Sequence, residues 1–113
     1  MSWLMGIDIG SAYSKGVMTR DLNLVASHII KSGADYRKSG ETIRTELLRK
    51  VNLTNNDIAN TVATGFGADN VYFAGQKVSD IVCTARGISN VFPLARTAID
   101  VASQSTRVIR LNE

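Results

Sequence analysis

The residues with most chemical potential stand near the start of the chain, where Asp8 closes an apolar run and Gly10, Ser11, Ser14 and Lys15 follow within seven positions. A carboxylate is costly inside an apolar strand unless it is paired or placed at the strand's mouth. At the mouth it can hold a metal-bound water, while small residues let backbone N–H groups approach phosphate oxygens. Ser11 and Ser14 would add hydroxyls and Lys15 a positive charge. The same spacing also suits a plain hairpin in which Asp8 caps the turn and Lys15 is solvated. Neither a GxxxxGK[ST] nor a GxGxxG pattern competes with this segment.

Two further segments carry weaker signals. Thr64-Gly65-Phe66-Gly67 places two glycines one residue apart, as close backbone approach or positive φ would require, and as a simple strand-to-helix turn would also require. Cys83 is the single thiol. It reads as a small buried hydrophobe or as a thiolate near a helix N-terminus with Arg86 three residues on. His28 lies among Ile29 and Ile30 without an Asp or Cys nearby, so it reads as structural. No Ser-His-Asp, HExxH or paired CxxC arrangement exists, which leaves hydrolase-triad and zinc chemistry unsupported.

These residues need elements to position them. Trp3 to Ile9 reads as a buried strand meeting a turn, Ser14 to Thr19 as a second strand, and Leu24 to Lys31 as a third after the turn-prone Arg20-Asp21-Leu22-Asn23. The period then changes. Ile43, Leu47, Leu48 and Val51 recur at helical spacing between Tyr36 and Lys50, with Asp35 or Ser39 as the cap. Glu46 and Lys50 stand four apart in the favourable order for a surface pair. Ile58 to Ala63 predicts a fourth strand, Val78 to Val91 a second helix, Thr97 to Val101 a fifth strand and Arg107 to Leu111 a sixth. A three-stranded meander followed by alternating helices and strands predicts an α/β fold, a mixed sheet with helices packed on it.

Composition sets the outer limits. The 113 residues are 44% hydrophobic and 20% charged, with a formal charge of +3, one Pro and nine Gly, an ordinary globular balance. One domain is expected from this length. Lys and Arg are spread along the chain without aromatic interleaving, which argues against nucleic acid as partner. With one Cys there is no disulfide framework, and no targeting or membrane-length apolar segment is visible, so a cytoplasmic setting and no membrane partner are expected.

Taken in order, Gly6-Ile-Asp-Ile-Gly-Ser-Ala-Tyr-Ser-Lys-Gly16, Val62-Ala-Thr-Gly-Phe-Gly67, Ser79-Asp-Ile-Val-Cys-Thr-Ala-Arg-Gly87 and Phe92-Pro-Leu-Ala-Arg-Thr-Ala-Ile-Asp100 resemble the BadF/BadG/BcrA/BcrD ATPase family. That family includes activators of 2-hydroxyacyl-CoA dehydratases and the ATPase subunits of benzoyl-CoA reductase. The resemblance implies an actin-like, ribonuclease-H-like fold with ATP and Mg²⁺ bound between two halves. It also implies a homodimer with one [4Fe-4S] cluster at the interface, and electron transfer to a partner dehydratase or reductase. Carried over, Asp8, Gly10, Ser11, Ser14 and Lys15 resemble the first phosphate motif, Cys83 a cluster ligand, and Asp100 with Gln104 the next nucleotide motif.

Departures accompany the match. Ala102 and Ser103 replace two glycines of that last motif, Ser105 an acidic residue, and Thr84 a histidine. The resemblance implies that residues 1–113 form a single N-terminal subdomain of such an ATPase, its second half absent, with no turnover of its own. Cluster ligands beyond Cys83 would then come from another chain or from that second half. A non-catalytic dimerisation or interaction module of the same fold is the alternative, and a small redox or metal-binding dimer built on Cys83 a third.

Overall fold

The computed structural model describes residues 2–101 and 106–111. Its described residues cluster as two compact units, one spanning Met1–Lys77 and one Val78–Glu113.

The first unit opens with the predicted meander. Strands β1 (Trp3–Ile9), β2 (Tyr13–Arg20) and β3 (Asn23–Lys31) pair antiparallel in chain order. Asp21 and Leu22 take positive φ at the β2–β3 turn, the primed hairpin geometry that matches strand twist. Helix α1 (Tyr36–Val51) follows, then β4 (Ile58–Thr64), which runs parallel to β1 on its other side. A two-residue strand β5 (Gln76–Lys77) adds to β4, giving the order β3-β2-β1-β4-β5. Residues 55–57 and 68–70 form 3₁₀ turns. The strand and helix boundaries expected from the sequence hold to within about two residues, the usual uncertainty of element ends. The short β5 was not foreseen.

Strand alternation divides the sheet into two faces. Met5, Ile7 and Ile9 of β1, Met18 of β2 and Ala63 of β4 point to one side and close a core with Ile43 and Leu47 of α1 and with Val71. Helix α1 sits tight on this face because β2 carries Gly16 beneath it. A Cβ there would lie 2.2 Å from Ile43 Cγ2 and 2.8 Å from Leu47 Cδ1. Asp35 caps the helix, its carboxylate accepting from Lys38 N at 3.1 Å, while Ser39 is buried inside it and donates to the Ser32 carbonyl. Asn52 in the left-handed region ends it.

Glu46 pairs with Arg49 at 2.7 Å rather than with Lys50. The Lys50 ammonium turns instead towards β3, where it donates to the Ser27 carbonyl and lies 3.0 Å from His28 Nδ1. His28 thus ties α1 to the sheet, a structural position. The Arg49 guanidinium holds the Glu46 carboxyl below its usual range.

The second unit holds α2 (Asp80–Val91) and a two-stranded antiparallel sheet of β6 (Thr97–Val101) and β7 (Thr106–Arg110). Ala98, Ile109 and Leu111 form its small core, with Ala85, Ile88 and Ala95 against it. No helix among the described residues is long and apolar enough to cross a membrane.

Candidate functional site

The site is built where β1 and β4 end. Parallel neighbours place Asp8 beside Thr64, and the antiparallel register on the other side places Asp8 opposite Lys15. Lys15, Asp8 and Thr64 therefore stand in one row across three strands. They share the sheet face opposite α1, because Ile7, Ile9, Ser14 and Ala63, the next residues along each strand, are all buried on the helix side. Neighbouring strands lie about 4.8 Å apart, so side chains in such a row meet.

The loops fix this row. After β1 the chain turns through Gly10 to Tyr13, with Gly10 N donating to the Tyr13 carbonyl at 3.0 Å. After β4, Gly65 adopts φ +91° and passes so close to Asp8 that a Cβ would lie 2.3 Å from Asp8 Oδ1 and 2.7 Å from the Ile9 carbonyl oxygen. Only glycine meets both demands without strain. Gly67 N then donates to the Ile9 carbonyl at 2.9 Å, stitching the second loop onto the first strand. Phe66 between the two glycines is exposed and meets the Tyr36 ring edge-on, 6.0 Å between centroids.

The predicted phosphate-motif residues are thus divided. Asp8 and Lys15 share a face, and Gly10 and Ser11 form the adjoining turn. Ser14 does not join them. Its side chain is fully buried on the helix face, 2.7 Å from the Ser32 hydroxyl, which in turn donates to the Gly10 carbonyl. It supports the turn from behind. What motif reading missed is Thr64, whose Oγ1 is buried and has no hydrogen-bond partner among the described residues. The sequence carried it only as a member of the Thr64-Gly65-Phe66-Gly67 and Val62–Gly67 segments, where the glycines rather than the hydroxyl drew the reading. A groove of about 270 Å³ lined by Met5, Arg44, Asn60 and Phe73 lies at the other end of the same strands.

In the second unit, Cys83 lies in the first turns of α2 and is half-buried, its N–H bonded to the Ser79 carbonyl at 3.1 Å. Ser79 caps the helix by accepting from Val82 N at 3.3 Å. Arg107 of β7 grips Asp80 through its two terminal guanidinium nitrogens, Nη1 donating to Oδ1 at 2.6 Å and Nη2 to Oδ2 at 2.5 Å. This bidentate contact holds the Asp80 carboxyl below its usual range and raises the arginine. Asp100 lies on β6 opposite Arg107. Gln104 lies outside the described residues. No group of three or more His, Cys, Asp or Glu that could hold a metal occurs among the described residues.

Comparison with known proteins adds to this geometry. Residues 5–113 match the model of the BadF/BadG/BcrA/BcrD ATPase family. The 2-hydroxyisocaproyl-CoA dehydratase activator of Clostridioides difficile is 36% identical over 111 residues, covering 97% of this chain and 41% of that protein. The activator of lactoyl-CoA dehydratase from Anaerotignum propionicum is 38% identical, covering 98% of this chain and 43% of that one. The chain therefore spans less than half the length of these relatives. Among solved structures, component A of the Acidaminococcus fermentans (R)-2-hydroxyglutaryl-CoA dehydratase superimposes with a TM-score of 0.92 at 29% identity, over 99% of this chain and 44% of that one. The Clostridium difficile activator with bound ADPNP superimposes with a TM-score of 0.89 at 34% identity, over 97% and 41%.

Proposed function

The chain belongs to the BadF/BadG/BcrA/BcrD ATPase family, and on that premise we propose that it is the N-terminal, phosphate-facing part of an ATPase that activates a CoA-ester dehydratase. The observation that carries this is Asp8. It stands at the carboxyl ends of two parallel strands, beneath a glycine that packs on its carboxylate and beside a tight turn of small residues. Ligands of open α/β sheets bind at such strand ends. The relatives named as activators, and the relative solved with bound ADPNP, support a nucleotide as the ligand.

The residues present fit a magnesium ion held through water. Asp8 offers a hard oxygen, and the Thr64 hydroxyl on the neighbouring strand is buried with no hydrogen-bond partner among the described residues. When bound, the ion would supply charge neutralisation at the phosphates. Asp8 would orient its hydration shell, Lys15 would add positive charge on the same face, and the Gly10–Ser11 turn would present backbone N–H groups. Asp100 and Gln104 belong to the proposed second nucleotide motif. The nucleotide's remaining contacts would come from the rest of the longer protein, so this stretch alone should not turn ATP over.

The cluster fits less well. A [4Fe-4S] cluster takes four thiolates and this chain has one. Cys83 at the start of α2 could supply a single ligand in an assembly, a homodimer or a complex with the dehydratase, and no electron-transfer step follows from this chain's residues. The alternative of a non-catalytic interaction module is favoured by Ala102 and Ser103, which stand where the family motif has glycines.

Isothermal titration of ATP with and without Mg²⁺ tests the main proposal. Wild type is expected to bind with Mg²⁺-dependent affinity that Asp8→Ala abolishes. Equal heats from both proteins, or none from wild type, would overturn it.

A further inference from the structure

We propose that Thr64 is a second binding residue of the Asp8 site, its hydroxyl accepting a hydrogen bond from a water of the magnesium ion's hydration shell. This rests on the nucleotide proposal above and extends it to a residue on a different strand. Three observations carry it.

Register comes first. Thr64 is the parallel partner of Asp8, so the two side chains are neighbours on the same sheet face, while the adjacent residues Ile7 and Ala63 are buried on the opposite one. The second is the hydroxyl itself. Thr64 Oγ1 is buried without a hydrogen-bond partner among the described residues. Buried hydroxyls are almost always satisfied, and an orphan calls for a water, an ion or a ligand. Val62 and Ala63 precede it, and valine has the same shape as threonine without the desolvation cost, so packing alone gives no reason for the hydroxyl. The third is rigidity. Gly65 is clamped against Asp8 and Gly67 N is bonded to the Ile9 carbonyl. The end of β4 is therefore held in place on the strand beside Asp8.

A ligand-facing hydroxyl and a structural one respond oppositely to Thr64→Val. If the hydroxyl serves a ligand, the ligand-free chain should unfold no more easily than wild type, because the substitution removes an unsatisfied buried group. Affinity for Mg²⁺·ATP should fall roughly ten- to a hundredfold, metal-free ATP binding should be unchanged, and Thr64→Ser should keep the wild-type affinity. With Mn²⁺ in place of Mg²⁺, the Thr64 methyl resonance of wild type should broaden on adding ATP. A Thr64→Val protein that melts earlier yet binds Mg²⁺·ATP like wild type would overturn the inference and leave the nucleotide proposal standing. A wild type that binds no Mg²⁺·ATP would overturn both. If Thr64→Val fails to fold, the serine variant and the Mn²⁺ broadening decide: full affinity with broadening supports the role, and an unbroadened methyl removes it.

Discussion

The two compact units differ in how completely they bury their apolar residues. In Met1–Lys77, Ile9, Met18, Ile43, Leu47, Ala63 and Val71 have no exposed surface at all, and α1 contributes four buried residues. Among the described residues of Val78–Glu113 the most buried apolar side chains are Ile109, Leu111 and Ala98, α2 has no buried residue, and Ile99, Val101, Val108 and Leu94 are exposed. Burial of apolar area is the main stabilising term, and it scales with core size. The first unit can therefore hold a carboxylate and its loops in fixed positions. The second relies more on local devices, above all the Asp80–Arg107 contact and the Ser79 cap. The proposed nucleotide-facing row lies in the unit with the rigid core, and Cys83 in the unit without one.

Core truncation should show this contrast most strongly. Leu47→Ala is expected to cost about 2–5 kcal/mol in urea unfolding followed by circular dichroism, the usual range for a fully buried leucine. A loss below about 1 kcal/mol would mean that the first unit's core is less cooperative than its burial implies.

Gly65→Ala comes next. Positive φ and the clash with Asp8 Oδ1 and the Ile9 carbonyl together should cost about 1–3 kcal/mol. Because the strain falls on Asp8, Mg²⁺-dependent ATP binding should weaken more than stability does. Unaltered binding would show that the loop does not set the carboxylate's position.

The ion pair of the second unit should matter less and depend on pH. Arg107 depresses the Asp80 pKa in the folded chain. Its contribution is then present above the unfolded carboxyl value of about 3.9 and is lost as pH falls through the lower folded value. Both side chains are about one-third exposed, so Asp80→Asn should cost no more than about 1 kcal/mol near neutral pH. The difference from wild type should vanish in acid, as read from amide signals of α2 and β7. A difference that persists unchanged to strongly acidic pH would remove the ion pair as its cause.

Ile99→Ala should have the smallest effect, within about 0.5 kcal/mol, because the side chain is exposed. A loss approaching that of Leu47→Ala would break the comparison, since it would require Ile99 to be covered.

Much of this was legible in residue order. The meander and α1 followed from a switch of apolar period, from the near-continuous run of β1 to the Ile43, Leu47, Val51 spacing. The cap was legible only as a choice between Asp35 and Ser39, and packing decided it by burying Ser39 inside the helix. The Glu46–Lys50 pairing failed for a tertiary reason: β3 lies beside the end of α1 and offers Lys50 the Ser27 carbonyl and the His28 ring, leaving Glu46 to Arg49. Strand β5 is two residues held by backbone pairing to β4, too short to leave a periodic signal. The site was half legible. Asp8 and its small neighbours stood out as a motif. That Ser14 faces away follows from strand alternation, whereas its pairing with Ser32 required β3 to return alongside.

The sequence by itself determined the order of elements apart from β5, the family and the carboxylate at the end of the first strand, because these depend on residue type, period and local spacing. Only the tertiary structure decided which residues stand beside that carboxylate. Thr64 comes to Asp8 from 56 positions along the chain, through a parallel register set by the packing of α1 on the sheet. Arg107 reaches Asp80 from 27 positions away. Contacts of that range leave no local pattern, since closing the intervening chain is the work of the core and not of the residues that meet.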